Sequence, residues 1–412
     1  MPLPEIRRDV QRRDFLRWLA ASPFLASAGG LAGLEPIIAQ EMPRRTFDGL
    51  VTSAAEALDV FDMQRVAEAT VPHAHYGYIM AGVDGEQTYD NNRAALERMY
   101  LRARRLVDVS DLDTTVRIFD REWPTPIMIA PCGSQRAFHA DGEIAVAKAA
   151  AARTHLQTLS TVASTAVEEV NDARGEPVWY QLYAPSNWNA AAALVERTKR
   201  AGCPAIVLTV DLLGGSNRIN LERYRRTDDR NCTSCHRSGG RADPVKPNLR
   251  DLPRGAPDGT AGRSMTWDYI DRLRGITDQK IIVKGLVTRE DAELAVRHGI
   301  DAIWVSNHGG RAEDSGRATI DALPEVSEAI GGRMPVIVDS GFRRGSDIVK
   351  AIALGADAVA VGRPYLWGLG AFGQEGVERV LQILQRELEI TMRAIGAPSL
   401  SALGPHSVGV DR

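Results

Sequence analysis

The chain lacks three features that would place it in other protein classes. Lys plus Arg number 50 and Asp plus Glu 53, with no basic stripe among aromatic residues, so nucleic acid is not an expected partner. Beyond residue 39 no apolar run approaches the ~18 residues that a membrane span requires. No G-x-G-x-x-G follows an early predicted strand, which argues against a Rossmann nucleotide site. The 412 residues, 44% hydrophobic and 25% charged, suit a globular protein of one large or two smaller domains.

The first 39 residues differ from the rest of the chain. Arg12-Arg13 and then Phe15-Leu16 precede a mildly apolar stretch that is rich in alanine and glycine. This order is typical of a twin-arginine export signal, and an amphipathic helix with a basic end is the alternative. We predict that residues 1–39 are a signal region and that the folded protein is exported to the periplasm. An uncleaved signal would keep it associated with the membrane.

From residue 126 onward, short apolar runs alternate with amphipathic stretches. The runs occupy residues 126–131, 156–160, 178–183, 205–211, 280–285, 302–306, 336–339 and 358–362. Helical patterns lie between them, for example at residues 142–153, 187–201 and 289–298. Eight strand–helix units with apolar strands predict an α/β fold, a (β/α)₈ TIM barrel over residues 126–396. A doubly wound open sheet is the alternative, and the number of repeats favours the barrel.

Three further segments flank or interrupt this barrel. Residues 40–125 have mainly helical patterns and are expected to cover one of its ends, and residues 397–412 are a C-terminal tail. A long stretch after the fourth strand, residues 214–266, is rich in Arg, Gly, Pro and Asp. A loop of that length is usually a lid, a docking surface or disordered.

Polar side chains collect where the predicted strands end, which is where such barrels have their active sites. They are Ser160, Gln181, Tyr183, Thr209, Asp211, Lys284, Ser306 and His308. After the strand at residues 302–306, a turn presents an imidazole and, three residues later, a guanidinium. Arg311 can hold a carboxylate through two hydrogen bonds and His308 can take a proton, a pairing suited to a hydroxy acid. Alone, a histidine in a glycine-rich turn is more often a surface residue.

The turns after strands seven and eight predict a phosphate site. They read Asp339-Ser-Gly-Phe-Arg343 and Gly362-Arg-Pro364. Barrels of this kind often bind a phosphate at these turns, where glycine amides approach the ligand closely and arginines supply positive charge.

Together these motifs resemble the FMN-dependent α-hydroxy acid dehydrogenase and oxidase family, of the glycolate oxidase, lactate dehydrogenase and mandelate dehydrogenase type. The resemblance runs from about Pro72 to Gly396. It includes Asn92-Arg93, Ala130-Pro131, Thr158-Leu-Ser160, Gln181-Leu-Tyr183, Leu208-Thr-Val-Asp211, Val283-Lys-Gly285, Ser306-Asn-His-Gly-Gly-Arg311 and Arg343-Arg-Gly-Ser-Asp347. It implies a barrel that binds FMN.

The resemblance also implies which residues hold the cofactor. They are Pro131, Cys132, Gly133, Ser160, Gln181, Thr209, Lys284, Ser306, Asp339, Gly341, Arg343, Gly362 and Arg363. Residues 131–133 would pack against the flavin ring, and Lys284 would stabilise the negative charge of the reduced ring. Asp339 would bind the ribityl chain, while the two arginines and their neighbouring glycines would hold the phosphate.

A second set of residues is implied to act on the substrate. The expected substrate-binding residues are Tyr78, Tyr183, Arg218 and Arg311, and the expected catalytic residues are His308 and Asp211. His308 would be the base and Asp211 would orient its imidazole. The implied reaction oxidises an (S)-2-hydroxy acid to a 2-oxo acid, by hydride transfer or through a carbanion. Electrons would pass to a quinone, a cytochrome or oxygen, and the protein could be a homo-oligomer.

Several positions depart from the family pattern. Val162 and Gly215 stand where larger residues are common, which predicts room for a substrate side chain larger than that of glycolate. Cys132-Gly133 and Ser340 also replace the usual residues, and FMN binding is expected to survive these changes.

The long loop contains a separate motif, in which Cys232 and Cys235 are two residues apart and His236 follows directly. This is the spacing of covalent c-type haem attachment, and a disulfide between Cys232 and Cys235 or a metal site are the alternatives. The competing function that the motif suggests is a periplasmic haem electron-transfer protein, which leaves His308 and Arg311 unexplained. No other metal site is expected.

Overall fold

A computed structural model describes residues 49–212, 215–228, 246–250, 252–253 and 265–410. The predicted signal region, residues 1–39, lies outside the described residues, as does most of the predicted long loop. Cys232, Cys235 and His236 lie outside them too. Haem, a disulfide and a metal ion therefore all stay open as predictions for this motif.

Among the described residues, three α-helices and three short strands precede the barrel. They are α1 (Val60–Thr70), α2 (His73–Met80), α3 (Gln87–Arg98), β1 (Met99–Leu101), β2 (Val116–Ile118) and β3 (Arg121–Trp123). Helix α1 begins after Asp59, whose carboxylate accepts the amides of Phe61 and Asp62. The prediction that residues 40–125 are mainly helical is wrong beyond residue 98. There the chain forms strands instead: β2 and β3 pair antiparallel, and each ends in one buried apolar residue, Ile118 or Trp123.

Eight parallel strands form the barrel. They are β4 (Ile127–Ile129), β5 (Leu156–Ser160), β6 (Trp179–Leu182), β7 (Ala205–Thr209), β8 (Lys280–Leu286), β9 (Ala302–Val305), β10 (Val336–Val338) and β11 (Ala358–Val361). The sheet closes in the order β10–β11–β4–β5–β6–β7–β8–β9, which confirms the predicted barrel. Its register sets Ser160 beside Gln181 and Thr209 beside Lys284, so the polar strand ends share one rim.

Helices surround the barrel in the described part of the chain. They are α4 (Gly142–Ala152), α5 (Val167–Arg174), α6 (Trp188–Arg200), α7 (Ile219–Arg226), α8 (Asp268–Arg274), α9 (Arg289–Arg297), α10 (Thr319–Ile330), α11 (Gly345–Ala353) and α12 (Arg363–Ile395). The three helical patterns predicted at residues 142–153, 187–201 and 289–298 are confirmed. Helix α12 is interrupted at Phe372 and Gly373, whose dihedral angles are not helical. Among the described residues, no helix has both the length and the apolar character needed to cross a membrane.

Two apolar clusters form the core. The first packs the outer faces of the strands against the helices. The second fills the barrel interior with residues such as Leu156, Trp179 and Ile282, and it also includes Ile118 and Trp123 of the β2–β3 hairpin. The hairpin therefore contributes two apolar side chains to the barrel interior.

The C-terminal tail folds back onto the N-terminal segment. After α12 the chain forms β12 (Val408–Val410), which pairs antiparallel with β1. Backbone hydrogen bonds from Arg102 to Ser407 and from Arg104 to Ile395 extend this contact. Residues on both sides of the barrel sequence are thereby joined.

Candidate active site

His308 lies in the turn after β9, with its backbone in the left-handed region (φ +59°). Its Nδ1 lies 2.9 Å from Oδ1 of Asp211, the residue that closely follows β7. Its Nε2 lies 3.3 Å from the hydroxyl of Tyr183, just after β6. Because a carboxylate holds Nδ1, that nitrogen carries the hydrogen, and Nε2 is left to accept a proton.

The charges around His308 favour a neutral imidazole and an ionised carboxylate. Burial lowers the pKa of His308, Asp211 opposes that shift, and Lys284 adds to it. Burial would raise the pKa of Asp211, but His308 and Lys284 together hold that pKa below its ordinary value. A neutral imidazole beside an ionised carboxylate is the arrangement that a general base requires, since the carboxylate stabilises the imidazolium.

Two guanidinium groups lie near the ring of Tyr78. The guanidinium carbon of Arg311 lies 4.6 Å from the ring centroid, and that of Arg218 lies 5.5 Å from it. Arg311 donates to the carbonyl of Tyr78 at 2.6 Å. Ser216 joins the pair, because its hydroxyl donates to the carbonyl of Arg311 and accepts from Nε of Arg218. Burial lowers the pKa of Arg311, and the positive charge of Arg218 lowers that pKa further. An anion bound here would therefore be stabilised by two cations.

A buried charge network lies at the ends of β8, β9 and β10. Lys284 donates to the hydroxyl of Ser306 at 2.7 Å and forms an ion pair with Asp339 at 3.3 Å. Asp339 also accepts from the indole of Trp304 at 3.0 Å and from Ser306 at 2.7 Å. Although burial lowers the pKa of Lys284, Asp339 and Asp211 raise it above its ordinary value, so the ammonium stays charged.

The C-terminal ends of β6 and β7 carry buried polar atoms that no described residue satisfies. Nε2 of Gln181 and Oγ1 of Thr209 have no hydrogen-bond partner among the described residues, although both side chains are buried. Oε1 of Gln181 is occupied by the hydroxyl of Ser160. A buried donor without a partner is costly, so these atoms indicate a ligand edge with hydrogen-bonding groups.

Two buried arginines follow β10 and β11. Arg343 and Arg363 are 6% and 9% exposed, and within the described ranges neither forms an ion pair with a carboxylate. Arg363 instead donates to the carbonyls of Ile79 and Gly309. Burial lowers the pKa of Arg343, and the positive charge of Arg363 lowers it further. Two buried cations that form no ion pair among the described residues make a site for an anion such as a phosphate.

Comparison with known proteins identifies the family. The profile of the FMN-dependent dehydrogenases matches residues 67–410. An L-lactate oxidase of Lysinibacillus sphaericus is 38% identical over 354 residues, which are 83% of this chain and 90% of that protein. Glycolate oxidase of Spinacia oleracea is 38% identical over 369 residues, 86% of this chain and 96% of that protein. The chain belongs to the FMN-dependent dehydrogenase family.

A solved structure agrees with this assignment. Mandelate oxidase with benzoyl-formic acid is 35% identical, has a TM-score of 0.76, and covers 86% of this chain and 98% of its own. The resemblance inferred from the motifs is therefore confirmed, as is FMN as the cofactor. This member of the FMN-dependent dehydrogenase family is an α-hydroxy acid dehydrogenase or oxidase.

The residues of this chain fit FMN. One pocket is lined by Tyr78, Ile79, Ala130, Pro131, Cys132, Gly133, Val162, Tyr183, Lys284, His308, Gly309, Arg311, Asp339, Ser340, Gly341, Phe342, Arg343, Ala360, Val361, Gly362, Arg363 and Leu366. Arg343 and Arg363, which form no ion pair in the described part of the chain, suit a phosphate. The side-chain atoms of Gln181 and Thr209 that lack a described partner suit the polar edge of a flavin ring. The thiol of Cys132 is free, as is that of Cys203 elsewhere in the fold.

The structure does not place every expected residue in the pocket wall. The expected residues outside that wall are Ser160, Gln181, Thr209, Asp211, Arg218 and Ser306. Four of the six contact wall residues: Asp211 holds His308, Ser306 accepts from Lys284, Arg218 lies near Tyr78, and Ser160 accepts the amide of Val162. Arg218 also lines an outer cleft beside α7.

Sequence reasoning missed two contributors to the site. Trp304 is a strand residue whose indole reaches Asp339, and apolar periodicity alone assigns it to the core. Ser216 links the two guanidiniums from within a loop whose conformation no local pattern predicts. The only available signal was the nearness of each residue in the chain to an expected site residue.

Proposed function

We propose that the enzyme oxidises an (S)-2-hydroxy acid to a 2-oxo acid with His308 as the base. Bound FMN supplies the chemistry of accepting two electrons. The observation that carries this proposal is the imidazole of His308, fixed through Nδ1 by Asp211, with Nε2 beside Tyr183 and in the same pocket as Arg311. A proton acceptor and a carboxylate-binding cation on one pocket wall suit a substrate with both a hydroxyl and a carboxylate.

The cations around Tyr78 define the carboxylate site in this proposal. Arg311 and Arg218 bind the carboxylate, whose negative charge pairs with the two guanidinium groups. Burial would raise the pKa of Tyr78, yet Arg311, Arg218 and Lys246 lower it below its ordinary value, so its hydroxyl is a strong hydrogen-bond donor. The hydroxyl of Tyr183 has a raised pKa, chiefly from burial, and it stays protonated beside Nε2.

Replacing the base tests this function directly. His308→Asn is expected to keep bound flavin but to slow its reduction by substrate about 10²–10⁴-fold, the typical contribution of a general base. Stopped-flow absorbance of the flavin measures the rate, and His406→Asn, which changes an exposed histidine, is the control. Rapid reduction of the yellow His308→Asn variant by a 2-hydroxy acid would refute the assignment.

We further propose a substrate at least as large as lactate. Val162, which stands where larger residues are common, lines the pocket. The similarity to mandelate oxidase supports a substrate side chain larger than that of glycolate. Comparing turnover of glycolate, lactate and a longer 2-hydroxy acid tests this, and a strict preference for glycolate would exclude it.

Two observations point to different electron acceptors. The named relatives are oxidases, which supports oxygen, whereas the twin-arginine pattern supports export and a periplasmic quinone or cytochrome. Reoxidation of the reduced enzyme by oxygen and by a soluble quinone, compared by stopped flow, distinguishes them.

Cell fractionation tests export, and a pyridine haemochrome spectrum tests haem at Cys232, Cys235 and His236.

A further inference from the structure

Asp339 anchors the turn that carries His308. The hydroxyls of Ser306 and Ser340 each donate to Oδ1 of Asp339 at 2.7 Å. Ser306 accepts the amide of His308 at 3.0 Å, and Ser340 accepts the amide of Gly309 at 2.9 Å. Two successive amides of the turn are therefore linked, each through one serine, to a single carboxylate oxygen.

The turn needs such support because its backbone is unusual. His308, Gly309 and Gly310 all have positive φ, at +59°, +71° and +74°. A non-glycine residue in this region has a less favourable backbone, so surrounding contacts must hold it there. The amide of Gly310 is held as well, by Oδ1 of Asn307 at 3.1 Å.

Ser340 itself has an unfavourable backbone, since its φ is +82°. Glycine adopts this region without strain, whereas serine does so at a cost. Ser340 nevertheless has both of its hydroxyl interactions satisfied, and both lead to the turn of the base or to its anchor. The presence of serine at a position whose backbone favours glycine is best explained by its hydroxyl, which bridges a carboxylate and an amide.

We propose that Ser340 is a positioning residue for His308, acting with Ser306 and Asp339 to fix the turn that presents the imidazole. This inference rests on the proposed function of His308 as the base. It makes the orientation of the imidazole depend on two carboxylates. Asp211 holds the ring, and Asp339 holds the backbone through the two serines.

The test uses Ser340→Gly in the flavin-loaded enzyme. Glycine relieves the backbone strain of serine at this φ, which offsets part of the cost of the lost hydrogen bonds, so the protein should fold and melt close to the wild-type temperature. Loss of the hydroxyl should slow flavin reduction about tenfold, the rate equivalent of one lost buried hydrogen bond. The substrate concentration for half-maximal reduction should stay within about twofold, because the carboxylate site is untouched.

A matched control and a second measurement separate this from a general effect. Thr154, an exposed residue with φ +54°, lies away from the pocket, and Thr154→Gly removes similar strain without touching the turn. Hydrogen exchange of the peptide covering residues 303–312 should accelerate in Ser340→Gly and in Ser340→Ala, because the Gly309 amide loses its acceptor. It should not change in Thr154→Gly.

Three outcomes would overturn the proposal. They are a wild-type reduction rate in Ser340→Gly, unchanged exchange of the turn peptide, and a rate loss explained by weaker FMN binding. The last would mean that Ser340 holds the cofactor instead. Failure of the wild-type enzyme to reduce its flavin with any 2-hydroxy acid would instead contradict the proposed function.

Discussion

The two ends of this barrel differ in the side chains that they bury: apolar at one end and charged at the other. At the N-terminal end of the strands, the hairpin side chains of Ile118 and Trp123 join the apolar interior. At the C-terminal end, Lys284, Asp339 and Arg343 are almost fully buried. Burying charge costs free energy unless it meets a partner or a ligand. The difference shows that one end was built for stability and the other for binding, in agreement with the general rule for these barrels.

The largest expected effect is at the apolar end. Trp123→Ala should lower the free energy of unfolding by about 3–5 kcal/mol, because it leaves a cavity against the barrel interior. Flavin reduction by substrate should stay unchanged well below the melting temperature. Urea unfolding measures the stability, and Leu58→Ala, at a residue that is 82% exposed, is the control. An equal loss of reduction rate would mean that the two ends are coupled.

A pair of lysines on one strand sharpens the comparison. Lys284→Met should lower the free energy of unfolding by about 3 kcal/mol, since Asp339 and Asp211 lose their buried cation. It should also slow flavin reduction about 10²-fold, the effect of removing one stabilising group.

Lys280, at the other end of β8, is the matched control. Its side chain is 42% exposed and pairs with Asp301 at 3.3 Å. Lys280→Met should cost less than about 1 kcal/mol, as exposed ion pairs do, and should leave the rate unchanged. Equal losses from the two substitutions would show that the charges at the mouth are ordinary ion pairs.

The smallest effect is a shift along the pH axis. Because the pKa of His308 lies below its ordinary value of 6.5, flavin reduction should fall as pH decreases through that lower pKa and protonates His308, the proposed base. Asp211 raises the pKa of His308, so Asp211→Asn should move the acid limb to still lower pH, besides slowing the reaction. Stopped-flow rates from about pH 5 to 8 measure the acid limb of the wild type and that of Asp211→Asn. An acid limb that moves to higher pH would contradict the proposed coupling.

The barrel was predictable because its strands are short and apolar and alternate with helical patterns, and the polar residues at their ends could be located along the chain. The β2–β3 hairpin was not. Two strands of three residues each carry too little alternation to be recognised without the barrel that their side chains enter. The site shows the same division. His308 and Arg311 are three residues apart and could be paired by eye, whereas Ser216 joins Arg311 only through the fold.

The order of residues alone was enough to predict the barrel, the end of the barrel that carries the active site, and the family. These depend on periodicity and on motifs whose members lie close together in the chain. Only the folded chain decided which groups meet. Asp211 and His308 are 97 positions apart, and Arg93 and Asp347 are 254 apart, yet each pair is within hydrogen-bonding distance. No local pattern encodes such contacts, because they arise from the closure of the sheet and the packing of the N-terminal helices across its mouth.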